Sequence, residues 1–499
     1  MILPAKPKKS TPLTVLLRRL EAEFASPPSL SLLNLRLPLD HAASLYLFCP
    51  LPLVLSVLND TGRQSQRQRR LPAQHVVYFV IAASLWRDKG LPDVWQRLHT
   101  LSRQPEPDPS AFTYARQRLG VRPLRTLFRR LVCSAAPLPG AYYRRWRLLA
   151  LDGSVWEMPD TPANRDFFGS ACNQHGLAAF PQLRLAALCE VQTHAVVDFE
   201  YGPYRDSELA LSEPLLRRAP GGCLVLMDRG LSYFAQVRAV RQRGSEVLAR
   251  VKLSRALPVE EVLPDGSYLS HIYPDYNASR RQEGGIPVRV INYLQDDHHR
   301  ASNGEMTCLM TTVLDGQLLS AKEAVLLFGR RWDEESVLDE VKTVMQQSKA
   351  PLLRSKAPEL VQQELYGLLL AHYLNRKVMA SAAALAGEEP TRLSFKSSLE
   401  TFKGWLTEKT RQGWKRRYQV LLRKVAEKEL REKRERSYPR AKKAARQKWP
   451  MKRAGAPAPV QPSKPFAQAV QIVEPLPGEQ RQRKHKDGRR REKPLFHGH

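Results

Sequence analysis

The chain has 499 residues, 42% of them hydrophobic, which suits two to four domains with a real core and excludes a wholly disordered protein. Its formal charge of +30 points to a polyanionic partner. The excess is uneven: residues 401–499 hold 29 Lys and Arg against 9 acids, a net +20, and the first 400 residues share the remaining +10.

Six cysteines stand at 49, 133, 172, 189, 223 and 308, with no Cys-x2-Cys pair and no zinc-ligand spacing. They read as reduced, mostly buried residues of a cytoplasmic protein. The start, MILPAKPKKS, lacks the apolar core of a signal peptide. The runs HVVYFVIAASLW and YGLLLAHYL are too short to span a bilayer, so no membrane partner is expected.

In chain order, residues 1–40 are rich in Pro and Leu, and a basic link, TGRQSQRQRRLP (61–72), precedes the first strong element. LPAQHVVYFVIAASLW reads as a helix with Pro72 pre-set for its first turn. LPDVWQRLHTL and SAFTYARQRLG read as two more, the second with Ser110 as N-cap. Arg116 and Arg118 on that last helix suit a helix-turn-helix module; a plain helical bundle fits equally well.

From 146 the pattern changes. WRLLALDGS, LRLAALCEV and AVVDFEYG are strand-like, SELALSEPLLRR is helical, CLVLMDRG is a strand and SYFAQVRAVRQRG a helix stopped by Gly244. EVLARVKL closes the series as a strand, and the order is that of an α/β fold. Residues 253–317 read as an inserted β region with no clear helix, and a new helix is expected from near Leu319. Residues 349–430 are strongly helical, and beyond about 430 the Pro-, Ala- and Lys-rich tail should be disordered.

Two acids stand out by position. Asp152 ends RLLALD and Asp228 ends LVLMD, each with glycine close behind. Carboxyl ends of strands are where open α/β sheets place their sites, although Asp and Gly are also ordinary turn residues. A third candidate lies in LFGRRWDEESVLDEVK (327–342), with five acids within eight positions. At 100° per residue, Phe328, Arg331, Glu335 and Lys342 share one helix edge, beside an apolar face of Leu338, Val341 and Met345. A salt-bridged exposed face is the competing reading of that stripe. Asp, Asp and Glu together are hard oxygen ligands that suit Mg²⁺ or Mn²⁺, and two such ions support phosphodiester chemistry. Arg331 and Lys342 are then candidates to hold DNA phosphates.

These residues resemble the transposases of bacterial insertion-sequence family four. The family signature Tyr-x2-Arg-x3-Glu-x6-Lys is matched in spacing by Phe328, Arg331, Glu335 and Lys342, with Phe328 as its one departure. LDGSVWEMPDTPANRDFFG (151–169), LVLMDRGLSYF (224–234), the N-terminal LPAQHVVYFVIAASLWRDKGLPDVWQRL and ELYGLLLAHYLNRKVMASAA carry the rest of the resemblance, from roughly 60 to 400.

The resemblance implies a DDE transposase with an RNase H-like α/β catalytic core. Asp152, Asp228 and Glu335 would be its metal-binding triad for two Mg²⁺ or Mn²⁺ ions, and Asp333, Glu334, Asp339 and Glu340 do not fit the family position. It also implies a helical DNA-binding domain over 1–145, a catalytic domain over 146–348 with its β insertion at about 253–317, a helical region over 349–430 and a basic tail over 431–499. Such enzymes bind terminal inverted repeats in double-stranded DNA, cut element ends and join them to target DNA, as a homodimer in the nucleoid-containing cytoplasm. Trp332 falls where relatives place an aromatic near a flipped base; a core Trp is the alternative. The rival functions are a metal-dependent nuclease of the same fold without strand transfer and a decayed, non-catalytic DNA-binding protein.

Overall fold

The computed structural model describes residues 42–67, 71–98, 107–173, 176–300, 302–331, 337–345, 353–408, 414–430 and 461–475. The chain divides into two compact units. The first takes in the N-terminal residues to 227, 235–246 and 329–434; the second takes in 228–234, 247–328 and 435–499.

Among its described residues the first unit begins with six helices: α1 (Ala42–Tyr46), α2 (Leu51–Asp60), α3 (Ala73–Leu85), α4 (Leu91–Leu98), α5 (Pro109–Leu119) and α6 (Arg122–Phe128), the last running into a π turn at Arg129–Cys133. The sequence places Ser110 at the N-cap of α5. Instead Asp108 is the cap, with its carboxylate accepting from the Ser110 amide at 2.8 Å, and Pro109 takes the first helical position. An acid there also complements the helix dipole.

A hairpin of β1 (Tyr142–Tyr143) and β2 (Trp146–Glu157) starts the sheet of this unit. Then come α7 (Pro162–Phe168), the small ribbon β3 (Cys172–Asn173) and β4 (Gly176–Leu177), β5 (Gln182–Glu190), β6 (Val196–Pro203), α8 (Glu208–Arg217), β7 (Cys223–Met227) and α9 (Phe234–Arg241). The strands run β6–β5–β2–β7, with β2 antiparallel to β5 and parallel to β7. All five residues of β7 are buried, as an uninterrupted apolar run requires of a parallel strand. Every strand and helix expected between 146 and 251 is present, and in that order.

The second unit holds β8 (Glu246–Val251) almost entirely, β9 (Glu261–Val262), β10 (Tyr268–Ile272), α10 (Tyr276–Arg281), β11 (Ile286–Gln295), β12 (Thr307–Thr311) and α11 (Ala321–Gly329) up to its last residue. The strands pair antiparallel in the order β8–β12–β11–β10–β9. The β region is as expected, except that α10 interrupts it. Asp275 caps that helix by accepting from the Ala278 amide, a local signal short enough to be lost among β-like neighbours.

Back in the first unit, α12 (Pro358–Ala386) is a buried 29-residue helix, followed by α13 (Phe395–Thr407) and α14 (Trp414–Ala426). α12 packs on α3 so closely at Gly367 that a Cβ there would lie 2.7 Å from Ser84 Oγ and 2.9 Å from the Val80 carbonyl. The N-terminal helices therefore share a core with the C-terminal ones, and position 145 marks a change of element type within one unit.

The expectation of a disordered tail fails for one stretch. Residues 461–475 form α15 (Phe466–Ala469) and β13 (Val470–Ile472), which pairs antiparallel with Tyr293–Gln295 of β11. β10 occupies the same edge of β11 further along, at Ile286–Val290. The anchor is Asp297, only 1% exposed. It accepts from the Ser463 hydroxyl at 2.7 Å and from the Ser463, Lys464 and His299 amides at 3.1, 3.3 and 3.0 Å. Arg300 pairs with it at 3.3 Å and donates to the Lys464 carbonyl at 2.8 Å. A Pro- and Lys-rich composition hides such an attachment, because it depends on a few polar groups rather than on an apolar run.

Candidate active site

Asp152 lies within β2, half-buried, opposite Ala187 of β5. On the other side β2 and β7 are in parallel register, Leu151 beside Met227. Asp152 is the residue after Leu151 in β2, which continues to Glu157 instead of ending at the acid, and Asp228 is the residue after Met227, the last of β7. Asp228 is the first residue beyond β7, half-buried, and its carbonyl accepts from the Leu231 amide at 2.9 Å as the chain turns through Arg229 and Gly230. Next to Asp152, Gly153 leaves room for Glu208 at the start of α8: a Cβ there would stand 2.4 Å from the Glu208 carboxyl carbon.

Glu335 and Trp332 lie outside the described residues. The four signature residues expected on one helix edge are not all described, and α11 carries only Phe328 of them. α11 starts at Ala321 and ends at Gly329, residues 330 and 331 form a turn, and helical structure is next described from 337, passing into a π turn over Glu340–Val344. Gly329, a poor helix former, is the last residue of α11. Phe328 is 4% exposed and Arg331 5% exposed, so neither offers much surface, whereas Lys342 is half-buried.

Periodicity missed a different acid in this stretch. Glu340 faces three polar residues of the same unit: Arg376 donates Nε–H to it at 3.0 Å and a second N–H to its other oxygen, and His372 Nε2 stands at 3.1 Å. His194 Nδ1 is 3.9 Å from Glu340 and 3.2 Å from an Arg376 nitrogen. Burial alone would raise the carboxyl's pKa. The Arg376 charge, with His194 and His372 beside it, outweighs burial and holds the group well below the usual carboxylate range. Burial pushes His372 down, against the pull of Glu340, and so favours neutral imidazole.

Residues 39–129 match the model for the insertion element 4 transposase N-terminal region, and residues 145–374 match the transposase DDE domain. The chain is 30% identical over 357 residues to the transposase InsG for insertion sequence element IS4 of Escherichia coli strain K12, covering 69% of this chain and 78% of that protein. The chain belongs to the IS4 family of DDE transposases. This transposase is also 31% identical over 206 residues to the putative transposase InsZ of the same organism, across 38% of this chain and 66% of that one. Among solved structures it is similar to the piggyBac transposase in a synaptic complex with hairpin DNA, at 11% identity and a TM-score of 0.42, over 77% of this chain and 85% of the other. The family makes the transposase a DNA-cleaving and DNA-joining enzyme with an RNase H-like core, acting on DNA with divalent metal. Among the described residues, no helix is long and apolar enough to cross a membrane.

Proposed function

We propose that this transposase binds the terminal inverted repeats of its own element, cuts the DNA at the element ends and joins them to target DNA, with Asp152, Asp228 and Glu335 as its carboxylate triad. The observation that carries this reading is the parallel register of β2 and β7. Leu151 and Met227 form one rung of that register and each precedes one of the acids; Asp228 follows the carboxyl end of β7, the position at which α/β sheets build sites, and Asp152 lies within β2. The donor set fits a hard cation, since carboxylates are its preferred ligands and Asp152 and Asp228 are both only half-buried. Two Mg²⁺ or Mn²⁺ ions bound there would activate the attacking oxygen and stabilise the leaving one.

The chain's own residues fix where that happens. Strand backbone holds Asp152, and the turn after β7 holds Asp228. Lys342, with part of its side chain open to water, is the described signature residue suited to a DNA phosphate; Phe328 and Arg331 are buried. The helical N-terminal region reads the repeats, the basic tail adds nonspecific affinity, and two copies act together on DNA in the cytoplasm.

Sequencing the flanks of the gene should reveal inverted repeats. A plasmid carrying those flanks gives the substrate on which Asp152→Ala, Asp228→Ala and Glu335→Ala should each abolish cleavage while leaving end binding largely intact. Normal cleavage by Glu335→Ala alongside a dead Glu334→Ala would overturn the register. Deleting residues 431–499 should weaken nonspecific DNA binding and flatten its salt dependence, because each lost cation is a counterion no longer released. An unchanged slope would remove the tail from the DNA interface.

A further inference from the structure

We infer that Glu340 is a positioning residue for DNA cleavage: clamped by Arg376, His372 and His194, it sets the rotation of the helical stretch that follows Glu335 in the chain. The inference rests on the assignment of Glu335 to the triad.

The apolar residues of this stretch, Val337, Leu338, Val341 and Met345, are all buried. Hydrophobic contact is non-directional, so it holds the segment down without fixing its angle. A two-pronged guanidinium–carboxylate contact does fix an angle. Its partners come from stiff elements. His372 and Arg376 lie one turn apart in the middle of α12, both buried, and Arg376 also covers the Phe395 ring at 5.1 Å.

His194 is held in the turn between β5 and β6 with φ of +57°, a left-handed conformation rare for a residue other than glycine. Its amide donates to the Glu190 carbonyl at 2.8 Å. The Glu190 carboxylate in turn accepts from Thr193 Oγ at 2.5 Å and from Arg147 Nε at 2.7 Å. Arg147 belongs to β2 and precedes Asp152 by five residues; Glu340 follows Glu335 by five. One buried polar chain therefore runs from the strand carrying the first acid to the segment that follows the third. Well-packed apolar residues would stabilise the unit as well or better, so this buried network is best explained by the register it imposes.

The test uses the full chain with three variants, Glu340→Asp, His372→Gln and Arg376→Lys, alongside Glu335→Ala. Glu340→Asp keeps the charge and withdraws the carboxylate by one methylene. It should cleave flank DNA about tenfold to a hundredfold more slowly in Mg²⁺, with partial recovery in Mn²⁺, which tolerates looser geometry than Mg²⁺. Its own Mn²⁺ binding, read by electron paramagnetic resonance, should weaken about tenfold, with flank-DNA binding unchanged. Across the three variants, cleavage should fall in step with Mn²⁺ affinity and out of step with Tm. Wild-type cleavage and Mn²⁺ binding in folded variants would overturn the inference, as would losses that track Tm alone or variants that all melt below assay temperature. A fully active Glu335→Ala would sink the triad and this inference together; a dead Glu335→Ala beside an unimpaired Glu340→Asp would sink this inference alone.

Discussion

Asp297, buried in the second unit, and Glu340, largely shielded in the first, are satisfied in opposite ways. Asp297 is held chiefly by neutral donors, three backbone amides and a hydroxyl, with Arg300 alongside. Glu340 is held by the Arg376 cation and flanked by two imidazoles. Removing Asp297 exposes amides that water can satisfy. Removing Glu340 leaves a charge stranded in the interior. The first carboxylate is an attachment point and the second a structural counter-charge, although both sit below the usual carboxylate pKa range.

The largest expected effect follows from that contrast. Glu340→Ala should destabilise the first unit by about 3–5 kcal/mol, the usual loss when one partner of a buried pair is removed. Chemical denaturation of the full chain would measure it, and a loss below about 1 kcal/mol would show Arg376 to be solvated after all. A cleavage defect in Glu340→Ala alone therefore says nothing about which acid holds metal.

Asp297→Ala should act locally. Residues 461–475 lose their anchor, and tryptic cleavage at Lys464 should accelerate markedly while the main melting transition stays put. Unchanged protection of Lys464 would mean that the β13 pairing suffices by itself.

The smallest effect is a difference in pH response. His372 is depressed in the folded state, so the unfolded chain takes up that proton first. Stability from this group is complete above the unfolded value of about 6.5 and declines as pH falls from there. Asp297 contributes fully above the ordinary Asp value of about 4, and its contribution is lost only as pH falls through the depressed folded value. Between pH 7.5 and 5.5 the Tm of the first unit should therefore drop slightly, and His372→Gln should remove that drop, while protection of Lys464 stays constant. Equal sensitivity of both readouts would erase the distinction.

The contrast also shows what a sequence reveals. The strands from 146 to 251 were legible because each centres on a short run rich in apolar residues, such as LRLAALCEV and CLVLM. Asp152 and Asp228 stand out in the sequence because they end the runs RLLALD and LVLMD, although β2 itself continues past Asp152 to Glu157. The helical wheel that joins Phe328 to Lys342 counts angles and carries no signal for where α11 ends, at Gly329. Glu340 was set aside as one acid among five, and its partners lie 32, 36 and 146 residues away in the chain, where no periodicity links them. The 461–475 attachment was hidden in the same way, its anchor 166 residues distant.

That attachment ties the tail's charge to the second unit. Ser463 donates to Asp297 there. Residues 431–460, which precede it in the chain, carry eleven Lys and Arg against two acids, enough to neutralise a short run of phosphates. Covalent continuity keeps those cations on the same molecule as the anchored strand, so DNA drawn to the protein meets them at a local concentration set by tethering rather than by the solution.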